Sequence, residues 1–133
     1  MIYCVGIDIS KYKHDFCIIS SAGELIVENS SFQNNKIGFQ SLLDQLKPYN
    51  KSEIHIAFEA TGHYSLNLEL FLVNNGYSFM KVNPLIIHQF LKTRSLRRTK
   101  TDKADSLTIA KYLMSAPYKP NSDLLYTFFT LKS

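Results

Sequence analysis

Four carboxylates stand where a folded chain gains from them only if they act together: Asp8, Glu59, Asp102 and Asp105. Asp8 closes the apolar run Tyr3-Cys4-Val5-Gly6-Ile7, which suits a central strand, a setting in which Asp is depleted. Glu59 ends a second run of the same kind, and Gly62 soon after it permits a sharp turn and close approach of a ligand to the backbone. Asp102 and Asp105 are three apart, so on a helix they share one face with Cβ atoms about 5–6 Å apart. That face continues through Ile109 and Leu113 and must therefore turn toward the protein body. A helix N-terminus also favours the charged form of a carboxylate. Taken singly, these acids have ordinary readings: Asp102 fits a capping box opened by Thr99, and Asp8 fits a turn. Gathered at one place, they would repel one another by several kcal/mol unless cations neutralised them. Carboxylate oxygens are hard ligands, so the expected ions are Mg²⁺ or Mn²⁺. A pair of such ions about 3.5–4 Å apart activates an attacking water or hydroxyl and stabilises the leaving oxygen of a phosphodiester.

The charge distribution supplies a partner for that chemistry. Residues 1–80 hold five Lys/Arg against eight Asp/Glu, whereas residues 81–119 hold nine against two, although the whole chain carries a net charge of only +4. A cationic segment of that density suits DNA or RNA, because each neutralised phosphate releases counterions; a solvated basic loop is the plain alternative. Arg94, Arg97, Arg98, Lys100 and Lys103 precede or interleave the acidic pair, so a phosphate backbone held by them would pass over the acids. Arg grips phosphate with two donors, whereas Lys acts as a point charge.

The elements that must position these groups are legible from periodicity. Residues 2–9, 13–20 and 24–32 read as three strands joined by short turns, hence an antiparallel meander. Asn34 or Asn35 can cap a helix bearing Phe39, Leu42, Leu43 and Leu46 at helical spacing and closed by Pro48. Residues 53–58 alternate as a fourth strand. A helix over about residues 63–75 follows, with Tyr64, Leu68, Phe71 and Leu72 on one face and Gly76 as its stop. Residues 77–82 read as a fifth strand, Asn83 and Pro84 open a short helix through Ile87 and Phe90, and a last helix spans about residues 101–114. Three strands, then helix, strand, helix, strand, helix is the order of the RNase H-like fold: an α/β, five-stranded mixed sheet with flanking helices. In it the first and fourth strands lie side by side and parallel, which brings Asp8 and Glu59 to one sheet edge.

At 133 residues and 45 % hydrophobic, with eight Tyr and nine Phe, the chain has the material for one core. No run approaches the roughly 18 apolar residues of a membrane span, and no basic lead with a cleavage site opens the chain, so the expected setting is cytoplasmic. Cys4 and Cys17 fall in apolar runs and read as small buried hydrophobes. His55 and His88 read as structural or surface residues, while His63, just after the Glu59 turn, could reach a substrate phosphate, as could Lys11. Phe79, Phe90 and Tyr112 fit strand or helix core better than base stacking.

Gly6-Ile7-Asp8-Ile9-Ser10-Lys11, Glu59-Ala60-Thr61-Gly62-His63-Tyr64 and Lys100-Thr101-Asp102-Lys103-Ala104-Asp105 resemble the three signature segments of the bacterial insertion-sequence one-ten transposases. The resemblance spans about residues 2–119. It implies a RuvC-like domain whose Asp-Glu-Asp-Asp tetrad corresponds here to Asp8, Glu59, Asp102 and Asp105. It further implies cutting and rejoining of DNA with Mg²⁺ at the tetrad, a structured guide RNA, and action as a homo-oligomer, a dimer or tetramer, associated with the nucleoid. Longer members add a coiled linker and a second domain with a nucleophilic Ser. The expected organisation is therefore a catalytic domain over residues 1–119. Residues 120–133 would be an apolar tail or the start of a linker to an absent domain, without which recombination by this chain alone is not expected. Two other readings compete: a RuvC-type junction-resolving nuclease, and a non-catalytic remnant that binds nucleic acid or oligomerises. A sugar-kinase or actin-like ATPase half shares the Gly-Ile-Asp strand but needs Gly-rich phosphate loops, and the chain has only five Gly.

Overall fold

The computed structural model describes residues 1–60, 62–94 and 105–120, apart from the side chain of Arg94. Asp102, Arg97, Arg98, Lys100, Lys103, the expected start of the last helix and the tail over residues 121–133 lie outside the described residues.

Five strands form one mixed sheet in the order β3-β2-β1-β4-β5. Strands β1 (Tyr3–Asp8), β2 (Lys13–Ser20) and β3 (Leu25–Gln33) make the antiparallel meander, and β4 (Ile54–Glu59) and β5 (Met80–Val82) extend the sheet in parallel from β1. The turn between β2 and β3 rests on Gly23 at φ +90°, a conformation that L side chains rarely adopt.

Period-two alternation sends the strand side chains to two different cores. On one face Val5, Ile7, Phe16, Ile18, Ile54, Ile56 and Phe58 meet α1 (Lys36–Leu46) and α2 (Leu66–Asn74) through Phe39, Leu42, Leu46, Leu68 and Leu72. On the other face Cys4 and Ala57 meet α3 (Pro84–Arg94) and α4 (Ser106–Ser115) through Ile87, Leu91, Ile109 and Leu113, while Cys17 and Ile19 meet Ala110. The fold is thus an α/β mixed sheet with helices on both faces, the arrangement expected of the RNase H-like fold.

Local chemistry sets most element ends. Asn35 caps α1, its Oδ1 accepting from Gly38 N at 2.8 Å, and Asn83 Oδ1 accepts from Leu85 N at 2.8 Å at the start of α3. Gly76, at φ +80°, ends α2 while Tyr77 N donates to Leu72 O at 2.9 Å. Tyr64, expected on the inner face of α2, instead precedes the helix and is exposed.

Strand β5 is shorter than the expected 77–82, and Tyr118 is the reason. Its hydroxyl accepts from Ile56 N at 3.4 Å and bonds Ser78 Oγ at 2.9 Å, occupying the position a longer β5 would take beside β4. Its ring stacks on His55 at 3.9 Å, so His55 is structural, as read from the sequence. Phe79 is buried against Phe58, and the partly buried Phe90 meets Tyr112 edge to face, so all three rings pack within the domain. Both cysteines are buried and free.

Candidate active site at the sheet edge

Strand register delivers the first two acids together. The β1–β4 pairing runs from Tyr3 opposite Ile54 to Ile7 opposite Phe58, so the next step sets Asp8 level with Glu59. Neighbouring strands are about 4.8 Å apart, and the alternation that points Cys4 and Ala57 toward α4 points Asp8 and Glu59 the same way. Glu59 is 9 % exposed, and its backbone is fixed by pairing with Val82 and by the bond from Ala60 N to Val82 O, 2.9 Å.

The third acid arrives from above on α4, and Gly6 permits it. A Cβ built on Gly6 would lie 2.2 Å from Ser106 O and 2.4 Å from Ala110 N, both backbone atoms. Only a residue without a side chain lets the first turn of α4 rest directly on β1, two residues before Asp8. Below that turn, Cys17 Sγ lies 3.2 Å from Ser106 Oγ and donates to Glu28 O at 2.7 Å, tying α4 to β2 and β3.

Asp105 differs from the sequence reading in one respect. Its backbone is extended (φ −82°, ψ 174°) and it is the N-cap of α4, with Oδ1 accepting from Thr108 N at 2.9 Å. It is therefore the residue that opens α4 and not one within the helix, while its spacing to Asp102 lies outside the described residues. Ile109 and Leu113 are buried, as expected. The cap bond fixes the carboxylate and engages one of its two oxygens.

Asp8 and Asp105 line a common cleft of about 350 Å³ together with Asp15, Glu28, Asn29 and Ser106. Asp15 and Glu28 were not foreseen. Asp15 is opposite Asp8 in the hairpin, a position that counting back across the short β1–β2 turn would have reached. The negative field is felt by Cys17. Burial raises its thiol pKa, the Ser106 hydrogen bond opposes this, and Asp105, Glu28 and Asp15 add to the rise. Cys17 is thus held as a neutral thiol under an acidic cleft.

Among the described residues no three His, Cys, Asp or Glu side chains converge closely enough to hold a metal ion. Asp8, Glu59 and Asp105 share one edge and one side of the sheet, while Asp102 lies outside the described residues. The donor set is all carboxylate oxygen, which suits Mg²⁺ or Mn²⁺ and no softer metal. Of the cations, Lys11 is exposed on the β1–β2 turn at the same edge, and Arg94 ends α3. His63 is exposed in the turn after Glu59, beside Gly62 at φ +62°.

A parallel pair of central strands thus ends in acids, and a capped helix brings a third to the same side of the sheet. The chain belongs to the DEDD transposase family of the IS110 type, whose family model matches residues 5–132. It is similar to the pilin gene-inverting proteins of Moraxella bovis and Moraxella lacunata, each 38 % identical over 110 residues. Those matches cover 81 % of this chain and 33 % of each relative, so the chain spans about a third of their length. Among the described residues no helix is long and apolar enough to cross a membrane.

Proposed function

We propose that this chain is the catalytic domain of a DNA transposase or recombinase that cuts and rejoins phosphodiesters, with Asp8, Glu59, Asp102 and Asp105 as its acids. The supporting observation is the register: Asp8 and Glu59 end neighbouring parallel strands on the face that α4 covers, with Asp105 fixed at the cap of α4. The relatives are named for inverting a gene, which requires DNA strands to be broken and rejoined, and we extend that activity to this chain.

Mg²⁺ or Mn²⁺, as two ions held by the four acids, would supply activation of the attacking oxygen and stabilisation of the leaving one. The chain's own residues do the rest. Gly6 sets the height of Asp105 above Asp8, and the Thr108 bond holds its carboxylate in one orientation. Lys11, Arg94, Arg97, Arg98, Lys100 and Lys103 bind the phosphate backbone and carry it to the edge. The catalytic unit is residues 1–119, with residues 120–133 a tail or the beginning of a linker. A structured guide RNA and assembly as a dimer or tetramer complete the reading, which places the protein at the bacterial nucleoid.

The test is cleavage of DNA bearing the element's ends by the full-length protein in Mg²⁺, Mn²⁺ or EDTA. Asp8→Asn, Glu59→Gln and Asp105→Asn should each lower the metal-dependent rate by about a hundredfold or more while the fold is retained. Unchanged rates would reject the assignment. Cleavage confined to four-way junctions would make it a junction-resolving nuclease, and salt-sensitive binding without cleavage in either metal would make it a non-catalytic module.

A further inference from the structure

Two loops leave the sheet at the acidic edge, and one side chain binds them together. The β1–β2 turn follows Asp8, and the β4–α2 turn follows Glu59. Asn34, just past the end of β3 at the same edge, donates from Nδ2 to Lys11 O at 3.0 Å and to Tyr64 O at 3.2 Å, while its backbone N donates to Tyr12 O at 2.8 Å. The β1–β2 turn is further fixed from below: Ser10 N donates to Nδ1 of the buried His14 at 3.1 Å, and Ser10 Oγ donates to Lys13 O. These bonds hold the backbone of two turns that carry tyrosines the core does not absorb. Tyr12 is 75 % exposed and Tyr64 is 39 % exposed. Each has a basic neighbour, with Lys11 Nζ 5.1 Å from the centroid of the Tyr12 ring and the His63 ring 4.9 Å from that of Tyr64.

From this arrangement we infer that Tyr12 and Tyr64 form a stacking platform for unpaired nucleotides of the DNA strand whose phosphate lies at the acids. The inference rests on the phosphodiester reading of the site and adds to it the state of the DNA that is bound. A tyrosine ring stacks on any base, but only where the base's own face is uncovered, so intact duplex does not fit the platform. Lys11 beside the Tyr12 ring offsets part of the negative charge of the neighbouring acids, so that a phosphate-bearing strand is accepted there. The loops that carry the rings are fixed through backbone hydrogen bonds, so less chain freedom is lost when a base docks, which suits them to hold a splayed strand beside a reaction centre.

The experiment is equilibrium binding by the full-length protein in EDTA, so that it reads the platform without cleavage. The probes are a gapped duplex with three unpaired nucleotides, an intact duplex of the same sequence, and a single-stranded RNA. Tyr12→Ala and Tyr64→Ala should each weaken binding to the gapped DNA by about tenfold, leave the intact duplex within twofold, and affect the RNA less than the gapped DNA. Tyr12→Phe and Tyr64→Phe should bind like the unaltered protein, because the ring and not the hydroxyl stacks. Equal losses on gapped and intact DNA, no loss at all, a larger loss on RNA, or Phe variants as weak as Ala would overturn the inference. Metal-dependent cleavage by Asp8→Asn, measured separately, reports on the acids whatever the binding result.

Discussion

Replacing Gly6 by alanine probes how α4 is seated, and its effect follows from geometry. The added methyl would lie 2.2 Å from Ser106 O and 2.4 Å from Ala110 N, where ordinary contact begins at 3.4 Å. Both neighbours are backbone, so no rotamer relieves the clash, and the first turn of α4 must retreat by roughly 1 Å against a close-packed interior. Overpacking of that kind costs about 1–3 kcal/mol, or roughly 4–11 °C in Tm for a domain of this size. The retreat also stretches the Cys17–Ser106 contact, now 3.2 Å, and carries Asp105 away from Asp8. A displacement of about 1 Å at a reaction centre costs about a hundredfold in rate. Thermal melts and DNA cleavage by Gly6→Ala, with Gln89→Ala as control, check this. Gln89 is exposed within α3, so the control should change little. A Gly6→Ala protein with unchanged Tm and unchanged cleavage would refute the claim that close backbone approach seats α4.

Three further outcomes are expected. Asp105→Ala should lose the cap to Thr108 N and about 1 kcal/mol of stability, whereas Asp105→Asn should keep most of that stability while losing cleavage; paired denaturant melts and activity assays separate the two roles. Glu69 is buried, accepts from Ser65 Oγ at 2.7 Å and pairs with Lys81 Nζ at 3.3 Å, so Glu69→Ala should destabilise by roughly 2–3 kcal/mol in denaturant melts. That is less than for a fully buried pair, because the Lys81 side chain is 26 % exposed. Burial raises the thiol pKa of Cys4 and Cys17 and the phenol pKa of Tyr118, so the fold holds these protons more tightly than the unfolded chain does. Their contribution is complete below the ordinary thiol range and should decline as pH rises from about 8.5, which denaturant melts between pH 7 and 10 would register.

The parts of the site visible in the sequence are those set by short-range pattern. Asp8 and Glu59 each end an apolar run, and the strand and helix order alone makes those runs parallel neighbours. Asn35, Asn83 and Gly76 announce their helix ends because capping is a local interaction. Asp105 was harder to read, since three-residue spacing and an apolar continuation through Ile109 fit a residue inside a helix as well as one capping it. The choice is made by where α4 meets β1, a contact between residues a hundred positions apart. Tyr118 shortened β5 for the same reason: nothing near residue 78 shows that a distant hydroxyl takes the hydrogen bonds of the strand edge. The Asn34 links to Lys11 and Tyr64 are likewise long-range, so the sequence pattern places Tyr64 on the inner face of α2 and gives Tyr12 no role.

Binding of Mn²⁺ followed by paramagnetic broadening of backbone amide signals tests the central claim most directly. In the unaltered chain, broadening should be strongest around Asp8, Ala60 and Ser106, three segments that only the folded sheet edge brings together, and Asp8→Asn should abolish it. Broadening centred anywhere else, or undiminished in Asp8→Asn, would contradict a cation site built from these acids.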